Sequence, residues 1–287
     1  KILKKSIHLF SQTKEPTNDM TDQVVIITGA SSGIGKACGF VFSEKGARVV
    51  LAARNEEKLH DIEEKLHSLN RQVLTVQTDV SREEDCKNLI EKTLERFGRI
   101  DVLINNAGIS MRGLFQDTSL DVLHKLMDTN FWGTVYCTHY ALPHILKNKG
   151  SVVGISSIGG FQGLPGRTGY SSSKFAMHGF LETLRVEHLK NGLHVMIAAP
   201  GFTSTNVRKS ALGPDGLSQG ESPRDENKMM TPEKVAKIIA QGVKRRKRLI
   251  IMTGEGKLTV FIRRLAPKLI DKITYRVMAR EPDSPFN

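Results

Sequence analysis

The chain has 287 residues, of which 39% are hydrophobic and 25% charged, so a wholly disordered or fibrous protein is excluded. Its three cysteines (Cys38, Cys86 and Cys137) contain no CxxC pair, which argues against a disulfide scaffold and favours a reducing compartment. No segment approaches the roughly 18 apolar residues of a membrane span. The predicted location is therefore the cytoplasm.

The formal net charge of +12 is concentrated near the C-terminus. Residues 244–280 contain twelve Lys or Arg against two acidic residues, Glu255 and Asp271, a net charge of +10. The first 21 residues form a smaller basic extension, and the body between the two is close to neutral. The charge therefore describes the ends of the chain and says little about its chemistry.

Apolar runs rich in Val and Ile alternate with longer stretches at helical spacing. The predicted strands are 24–28, 48–53, 73–78, 101–105, 151–156, 193–199 and 248–252. The predicted helices are 34–46, 55–69, 82–97, 119–128, 131–148, 171–190 and 232–245. Strands that are apolar on both faces are typical of a parallel sheet between two helix layers. We therefore predict an α/β fold, a Rossmann-like doubly wound sheet of seven parallel strands with right-handed crossovers.

Three segments of the chain follow from this pattern. Residues 22–252 are expected to form one catalytic domain, within which 206–230, rich in Gly, Pro, Ser and charge, is predicted to be a substrate lid. Residues 1–21 and 253–287 are basic extensions, and Pro267 is expected to split the second one into two helices. Asn55, Ser81 and Thr231 precede predicted helices as candidate N-caps.

The segment TGASSGIG, residues 28–35, follows the first predicted strand and opens directly into a helix. Glycines at 29, 33 and 35 permit a tight turn and a close backbone approach to a pyrophosphate, which a helix N-terminus attracts. A plain strand-to-helix corner is the alternative. The position between a buried strand and a helix favours nucleotide binding.

The spacing GxxxGxG resembles that of the short-chain dehydrogenase/reductase superfamily. The segments NNAG at 105–108, YSSSK at 170–174 and PGFTST at 200–205 occur in the order of that family, with Asn130 and Ser157 between the first two. The likeness covers roughly residues 22–252. A weaker likeness, carried by NAGISMRG at 106–113 and the basic C-terminus, is to the branch of the SDR family member 7 proteins.

The resemblance implies a nicotinamide cofactor site. Its expected residues are Gly29, Ser31, Ser32, Gly33, Ile34, Gly35, Arg54, Asn55, Asp79, Val80, Asn106, Ala107, Gly108, Tyr170, Lys174, Pro200, Gly201 and Thr203. By similarity, Asp79 and Val80 contact the adenine, 106–108 line the ribose side, and Thr203 reaches the carboxamide. The end of the second strand carries Arg54 and no acid, which favours NADP(H) over NAD(H) because Arg can pair with a 2′-phosphate. A solvated turn residue is the alternative for Arg54.

Tyr170 and Lys174 are four residues apart, so on a helix they share one face. A nearby ammonium favours the phenolate and so lowers the high pKa of a tyrosine, which would fit Tyr170 for acid/base catalysis. A solvated surface pair is the alternative. Ser157, at the end of a predicted strand, would hold the substrate oxygen, and only the family spacing prefers it to Ser156. Asn130 resembles the family's helix-kinking Asn in a proton relay, with an internal polar cap as its alternative.

The expected reaction interconverts a carbonyl and a primary or secondary alcohol. Candidate substrate contacts are Ser157, Met111, Phe161, Gln162, Leu164 and Phe202, with Ser110, Met229 and Met230 nearby. Most are apolar, so a hydrophobic small molecule is favoured. The nine His form no close ligand cluster, so no metal site is expected. A catalytically weak, nucleotide-sensing interaction protein that docks through its basic end is the alternative function.

The C-terminal extension has an amphipathic pattern. Leu258, Phe261, Ile262, Leu265, Leu269 and Ile273 follow helical spacing, with Arg263, Arg264 and Lys268 off that face. Packing of this face on the sheet domain or on a partner subunit is the favoured interpretation, and the expected assembly is a homodimer or homotetramer. Peripheral binding of residues 244–280 to an anionic membrane is the alternative. Nucleic acid is disfavoured, because no recognised binding fold accompanies the charge.

Overall fold

The computed structural model describes residues 20–220, 229–281 and 284–286. The strands of its sheet are β1 (Val24–Thr28), β2 (Arg48–Ala53), β3 (Val73–Gln77), β4 (Val102–Asn105), β5 (Ser151–Ile155), β6 (His194–Ala199) and β7 (Leu249–Ile251). The helices in these ranges are α1 (Gly33–Glu44), α2 (Glu56–Ser68), α3 (Glu83–Phe97), α4 (Leu120–Met127), α5 (Gly133–Lys147), α6 (Thr168–Glu187), α7 (Pro232–Lys244), α8 (Gly254–Leu265) and α9 (Pro267–Ala279).

The seven strands form one sheet in the order β3-β2-β1-β4-β5-β6-β7, and every neighbouring pair is parallel. One apolar core lies between the sheet and helices α1, α2 and α7, and a second lies between the opposite face and α3, α5 and α6. The predicted doubly wound sheet with a helical C-terminal extension is therefore confirmed. Because the strand order reverses between β1 and β4, a ligand crevice is expected at their carboxyl ends.

Two helix boundaries differ from the predicted ones in ways that matter for the site. Helix α6 begins at Thr168, three residues earlier than predicted, so Tyr170 lies in its first turn. Helices α4 and α5 are joined by a π-helical turn, Asp128–Trp132, instead of a break. Such turns interrupt the regular hydrogen-bond ladder and are frequent at functional sites.

The helix caps were predicted correctly in two cases out of three. Asn55 accepts a hydrogen bond from the amide of Lys58 and Thr231 accepts one from that of Lys234, so both cap their helices. Ser81 does not cap α3, because its hydroxyl donates to the carboxylate of Asp79 instead.

The described part of the predicted lid is a packed loop. Its residue Leu212 pairs with Met111 and exchanges backbone hydrogen bonds with Ser110 and Arg112, and Ala211 is buried. The rest of the lid, residues 221–228, lies outside the described residues, as do residues 1–19 of the N-terminal extension.

The C-terminal extension divides at Pro267 into α8 and α9, as predicted. Helix α9 packs inward through Ile270, Thr274 and Met278, which recur every four residues and are buried. The predicted apolar face lies on the other side, and most of its residues are exposed: Leu258, Phe261, Leu265, Leu269 and Ile273. The prediction that this face packs on the sheet domain is therefore wrong, because a second stripe takes that place. No helix in the described ranges combines the length and apolar character needed to cross a bilayer.

Candidate active site

A cleft of about 1120 Å³ lies at the carboxyl ends of the strands. It gathers residues from the turn after β1, the ends of β2 and β3, the loop after β4, the end of β5, the start of α6 and the loop after β6. Of the predicted cofactor residues, those that line it are Gly29, Ser31, Ser32, Gly33, Ile34, Arg54, Asn55, Asp79, Val80, Asn106, Ala107, Gly108, Tyr170, Lys174, Pro200, Gly201 and Thr203. Gly35 is the one predicted cofactor residue that does not line this cleft.

The glycine-rich turn has no room for side chains. Gly29 has a φ of +65°, and a Cβ there would lie 2.8 Å from Cα of Ala107. A Cβ on Gly35 would lie 2.3 Å from the carbonyl oxygen of Gly29. Gly35 therefore permits close packing of α1 against the turn and lies behind the cleft wall.

The start of α1 is open to the cleft. Its N-cap residue, Ser32, makes no side-chain capping hydrogen bond, whereas Asn55, Thr231 and Thr253 cap α2, α7 and α8. The first amides of a helix need acceptors, and the helix dipole favours a negative one. The turn and the uncapped helix start therefore fit the pyrophosphate of a dinucleotide.

The end of β2 and the first turn of α2 each present one cation to the cleft. Arg54 is exposed and forms no ion pair with any described residue, and Lys58 lines the cleft four residues later. Asn55 uses its side chain to cap α2. Sequence reasoning missed Lys58, although its i+4 spacing from Arg54 at a helix start was available as a signal.

The NNAG segment is fixed against the glycine-rich turn. The amides of Asn106 and Ala107 both donate to the hydroxyl of Thr28, at 3.0 Å each, and the side-chain amide of Asn106 donates to the carbonyl of Thr28 at 2.8 Å. Asp79 accepts hydrogen bonds from the amide and the hydroxyl of Ser81. The side chains of Asn106 and Asp79 therefore shape the cleft wall, and both residues line the cleft.

Beyond β6, the loop that carries Thr203 is held rigidly. The Thr203 hydroxyl donates to the carbonyl of Gly201 at 3.0 Å, and the Thr203 backbone pairs with Met230. Met229 and Met230 do not line the cleft, since Met230 packs against the core beneath α1 and α7.

Tyr170 and Ser157 meet at the substrate end of the cleft. Burial raises the pKa of Tyr170, while a hydrogen bond from Ser157 and the positive charge of Arg167 lower it in part. The net direction is upward, so the expectation that a nearby ammonium lowers the pKa of Tyr170 is wrong for the cofactor-free protein, and the phenol is protonated at neutral pH. Arg167 also lines the cleft, a contribution that its position three residues before Tyr170 did not reveal.

Lys174 lies deeper in the cleft. Its ammonium donates to the carbonyl of Ile155 at 2.9 Å and lies 6.0 Å from the centre of the Tyr170 ring. Burial lowers the pKa of Lys174 to about 8. An ammonium has three donors, and its other two have no acceptor among the residues that the structure describes. A buried cation with unfilled donors beside Gly108 fits the hydroxyl groups of a nucleotide ribose.

Asn130 lies in the π turn and is fully buried, so it does not line the cleft. Its side chain accepts from the amide of Ile109 at 2.8 Å and donates to the carbonyl of Ile109 at 3.0 Å and to the hydroxyl of Ser173 at 2.9 Å. The Asn130 side chain thus acts as an internal polar cap, the alternative raised from its residue type. The role of Asn130 in a proton relay stays a prediction.

The structure distinguishes Ser157 from its neighbour. The hydroxyl of Ser156 lies 2.6 Å from Nε2 of His178, inside the protein. Ser157 accepts a hydrogen bond from the amide of Gly159 at 3.2 Å and is hydrogen-bonded to Tyr170. Ser157 is therefore the serine oriented toward Tyr170.

The predicted substrate contacts divide evenly. Ser157, Leu164 and Phe202 line the cleft, as does Ser110. Met111 is fully buried in a small core with Val122 and Leu126, so it lies elsewhere.

Phe161 and Gln162 also lie away from the cleft. The ring of Phe161 packs edge-on against His178 at 4.5 Å, and the side chain of Gln162 donates to the carboxylate of Asp271 on α9 at 3.1 Å. In the described ranges, no group of three His, Cys, Asp or Glu side chains is placed to hold a metal ion.

The crevice of this doubly wound sheet gathers a glycine-rich turn, a serine, a tyrosine and a lysine. This arrangement defines the class of nucleotide-binding α/β folds. The short chain dehydrogenase family model matches residues 23–214 of this sequence. The chain belongs to the short-chain dehydrogenase/reductase family of oxidoreductases.

Two curated relatives carry the comparison further. The chain is 37% identical to the 11-beta-hydroxysteroid dehydrogenase-like protein 2 of Arabidopsis thaliana, over 88% of this chain and 80% of that protein. It is 38% identical to the dehydrogenase/reductase SDR family member 7B of Xenopus laevis, over 87% of this chain and 80% of that protein. The likeness to the family member 7 branch is confirmed.

Solved structures share the fold. A short-chain dehydrogenase/reductase from Burkholderia phymatum in complex with NAD superposes with a TM-score of 0.78 at 24% identity, covering 88% of this chain and 96% of that one. An alcohol dehydrogenase from Thermococcus sibiricus complexed with 5-hydroxy-NADP gives a TM-score of 0.72 at 23% identity, covering 80% and 95%.

Proposed function

We propose that the protein is an NADP(H)-dependent oxidoreductase that interconverts a carbonyl compound and its primary or secondary alcohol. The observation that carries this proposal is the convergence of Ser157, Tyr170 and Lys174 at one end of a cleft whose other end has an uncapped helix start and two cations. A nicotinamide cofactor bound there supplies or accepts the hydride.

The side chains have separate tasks. In reduction, the hydroxyl of Ser157 holds the carbonyl oxygen by a hydrogen bond while Tyr170 donates its proton to that oxygen. The raised pKa of Tyr170 keeps this proton available at neutral pH. In oxidation the phenolate takes the proton from the alcohol, and the ammonium of Lys174 stabilises the phenolate charge.

The preference for NADP(H) rests on Arg54 and Lys58. Arg54 directly follows β2 and Lys58 lies in the first turn of α2, near the place where the ribose that distinguishes the two cofactors is expected. A 2′-phosphate there would meet the positive charges of Arg54 and Lys58, and neither Glu56 nor Glu57, which lie between them in sequence, lines the cleft.

The substrate is proposed to be a hydrophobic small molecule. Leu164, Phe202 and Leu212 contribute apolar surface to the cleft. One relative is named as a hydroxysteroid dehydrogenase-like protein, which fits a large apolar alcohol or ketone.

The proposal also covers assembly and location. We propose that the protein assembles as a homodimer or homotetramer in the cytoplasm. The three cysteines are free and buried, which suits a reducing compartment.

Turnover of NADPH with a panel of hydrophobic ketones and aldehydes tests the proposed reaction. Tyr170→Phe is expected to reduce kcat by about a thousandfold or more, because it removes the proton donor, while NADPH binding measured by fluorescence stays within about twofold. Cofactor binding without turnover of any compound would favour the nucleotide-sensing alternative. A Tyr170→Phe variant of near wild-type activity would refute the catalytic assignment.

A further inference from the structure

The C-terminal helix pair exposes an apolar surface that the fold leaves uncovered. Leu258, Phe261 and Leu265 follow each other at helical spacing along α8 and are 56%, 62% and 68% exposed. Leu269 and Ile273 continue the exposed apolar surface onto α9. These five residues form the docking face. Contiguous apolar patches of this kind mark interaction sites on soluble proteins.

Basic residues accompany the docking face. Residues 254–280 contain seven Lys or Arg and two acids, a net charge of +5. Lys257, Arg264, Lys268, Lys272 and Arg276 are all exposed, and they alternate with the apolar residues along both helices. A helix pair with apolar residues flanked by cations is suited to the boundary between lipid headgroups and acyl chains.

The orientation of the face is fixed by contacts on the other side of the helices. Asp271 accepts a hydrogen bond from Gln162, and Glu281 forms a 3.0 Å ion pair with Arg167. On α8, the guanidinium of Arg263 lies 4.9 Å from the ring centre of Phe175. The helix pair is therefore seated on the body of the protein with the docking face turned outward.

The basic run 244–248 is not part of this face. It precedes β7, whereas the helix pair follows it, so the two lie at opposite ends of that strand. In the run, Arg246 donates to the backbone carbonyls of Lys149 and Gly192. The charge of residues 244–280 thus divides into a part at the amino edge of the sheet and a part on the helix pair.

We propose that the docking face binds the surface of a membrane that contains anionic phospholipid. A second copy of this chain is a poorer occupant, because two helix pairs that each carry a net charge of +5 would repel each other. An anionic leaflet attracts the basic residues of the helix pair, and each basic residue near such a surface strengthens binding by about fivefold. Apolar side chains that enter the headgroup region add the hydrophobic contribution.

The helix pair that carries the docking face also lies beside the substrate end of the cleft. Arg167 lines the cleft and pairs with Glu281, and Gly256 at the start of α8 packs against Ile158, the residue after Ser157. This part of the inference rests on the proposed function. An apolar substrate dissolved in the bilayer would then reach the cleft close to the membrane surface.

Co-sedimentation of the full chain with phosphatidylcholine vesicles, with and without phosphatidylserine, tests the proposal. The wild type is expected to bind the phosphatidylserine vesicles at least about tenfold more tightly, and less tightly as salt is raised. Lys268→Gln/Lys272→Gln is expected to weaken binding by about twentyfold, and Phe261→Glu to weaken it by about tenfold or more.

Matched controls separate this face from general charge and exposure. Arg245→Gln/Lys247→Gln removes two charges from the run before β7, and Leu69→Glu adds a charge at a similarly exposed apolar residue directly after α2. Both are expected to bind as the wild type does. Equal losses in controls and test variants, or no binding by the wild type, would overturn the proposal.

Light scattering distinguishes a membrane face from a subunit interface. Phe261→Glu is expected to keep the subunit number of the wild type and its activity toward a water-soluble carbonyl compound. A change in subunit number would assign the face to a second copy and overturn the proposal. Tyr170→Phe is expected to bind vesicles normally, so failure of the proposed catalysis and failure of docking are measured separately.

Discussion

The hydroxyl of Ser156 and Nε2 of His178 are 2.6 Å apart, one residue before the serine that faces Tyr170. The pair is enclosed, since a Cβ on Gly160 would lie 2.6 Å from the Ser156 hydroxyl and 2.8 Å from that same nitrogen. Burial and the nearby charge of Lys174 lower the pKa of His178 to about 4. His178 is therefore neutral in the folded protein and ties helix α6 to the end of β5.

This pair predicts an acid-sensitive fold. The unfolded chain protonates His178 near its ordinary pKa of 6.5, whereas the folded chain does so only near 4. Between these values the unfolded state binds more protons, so stability falls as the pH falls. When the pH is lowered from about 7 to about 5, we expect the free energy of unfolding of His178→Gln, measured with urea, to fall by about 2 kcal/mol less than that of the wild type. The exposed His124→Gln should behave as the wild type, and an identical pH dependence in all three proteins would contradict the prediction.

The buried charge of Lys174 is expected to lower the stability of the folded protein although the proposed reaction needs it. Its charged form is disfavoured by burial, with a pKa of about 8 in the folded chain against 10.5 ordinarily. The unfavourable contribution of Lys174 to the free energy of folding is largest below about pH 8, where the folded and the unfolded chain both carry the proton. It disappears as the pH rises toward 10.5, because only the unfolded chain then keeps the proton. Lys174→Met is expected to stabilise the cofactor-free protein by about 1–3 kcal/mol at neutral pH and to abolish turnover. Lys125→Met, at an exposed lysine of the cleft, should change the free energy of unfolding and the turnover by less. A Lys174→Met variant that is less stable than the wild type would refute this account.

The two reaction directions should differ in pH dependence. The raised pKa of Tyr170 leaves the phenol protonated at neutral pH, so carbonyl reduction is expected to be nearly independent of pH from about 6 to about 7.5. Alcohol oxidation needs the phenolate, whose fraction rises about tenfold for each pH unit below that pKa. Oxidation should therefore accelerate as the pH rises. Steady-state kcat/KM in both directions measures this, and an oxidation rate that stays flat would show that Tyr170 is not the base.

The strands and the chemical motifs were predictable because both are local. Val and Ile runs specify buried strands, and Gly29, Ser157, Tyr170 and Lys174 lie at or next to strand ends and helix starts that the pattern locates. The contacts of the loops were not predictable, because the course of a loop depends on partners that are distant in sequence. Gln162 turns toward Asp271, 109 residues away, instead of toward substrate. The outward face of α8 and α9 was predicted as packed because periodicity identifies an apolar stripe but not which of two stripes is buried.

Arg54 and Lys58 give the most direct test of cofactor choice. A guanidinium hydrogen bond to a phosphate contributes about 1.5–3 kcal/mol, so Arg54→Ala is expected to raise the KM for NADPH by about 10- to 100-fold and leave that for NADH nearly unchanged. Lys58→Ala should act in the same direction by a smaller factor, because an exposed lysine is a weaker and more strongly screened partner. Lys65→Ala, near the end of the same helix, is the matched control and should leave both constants unchanged. Steady-state kinetics with each cofactor supplies the measurement. If Arg54→Ala left the ratio of the two KM values as it is in the wild type, the proposed 2′-phosphate site would have to be abandoned.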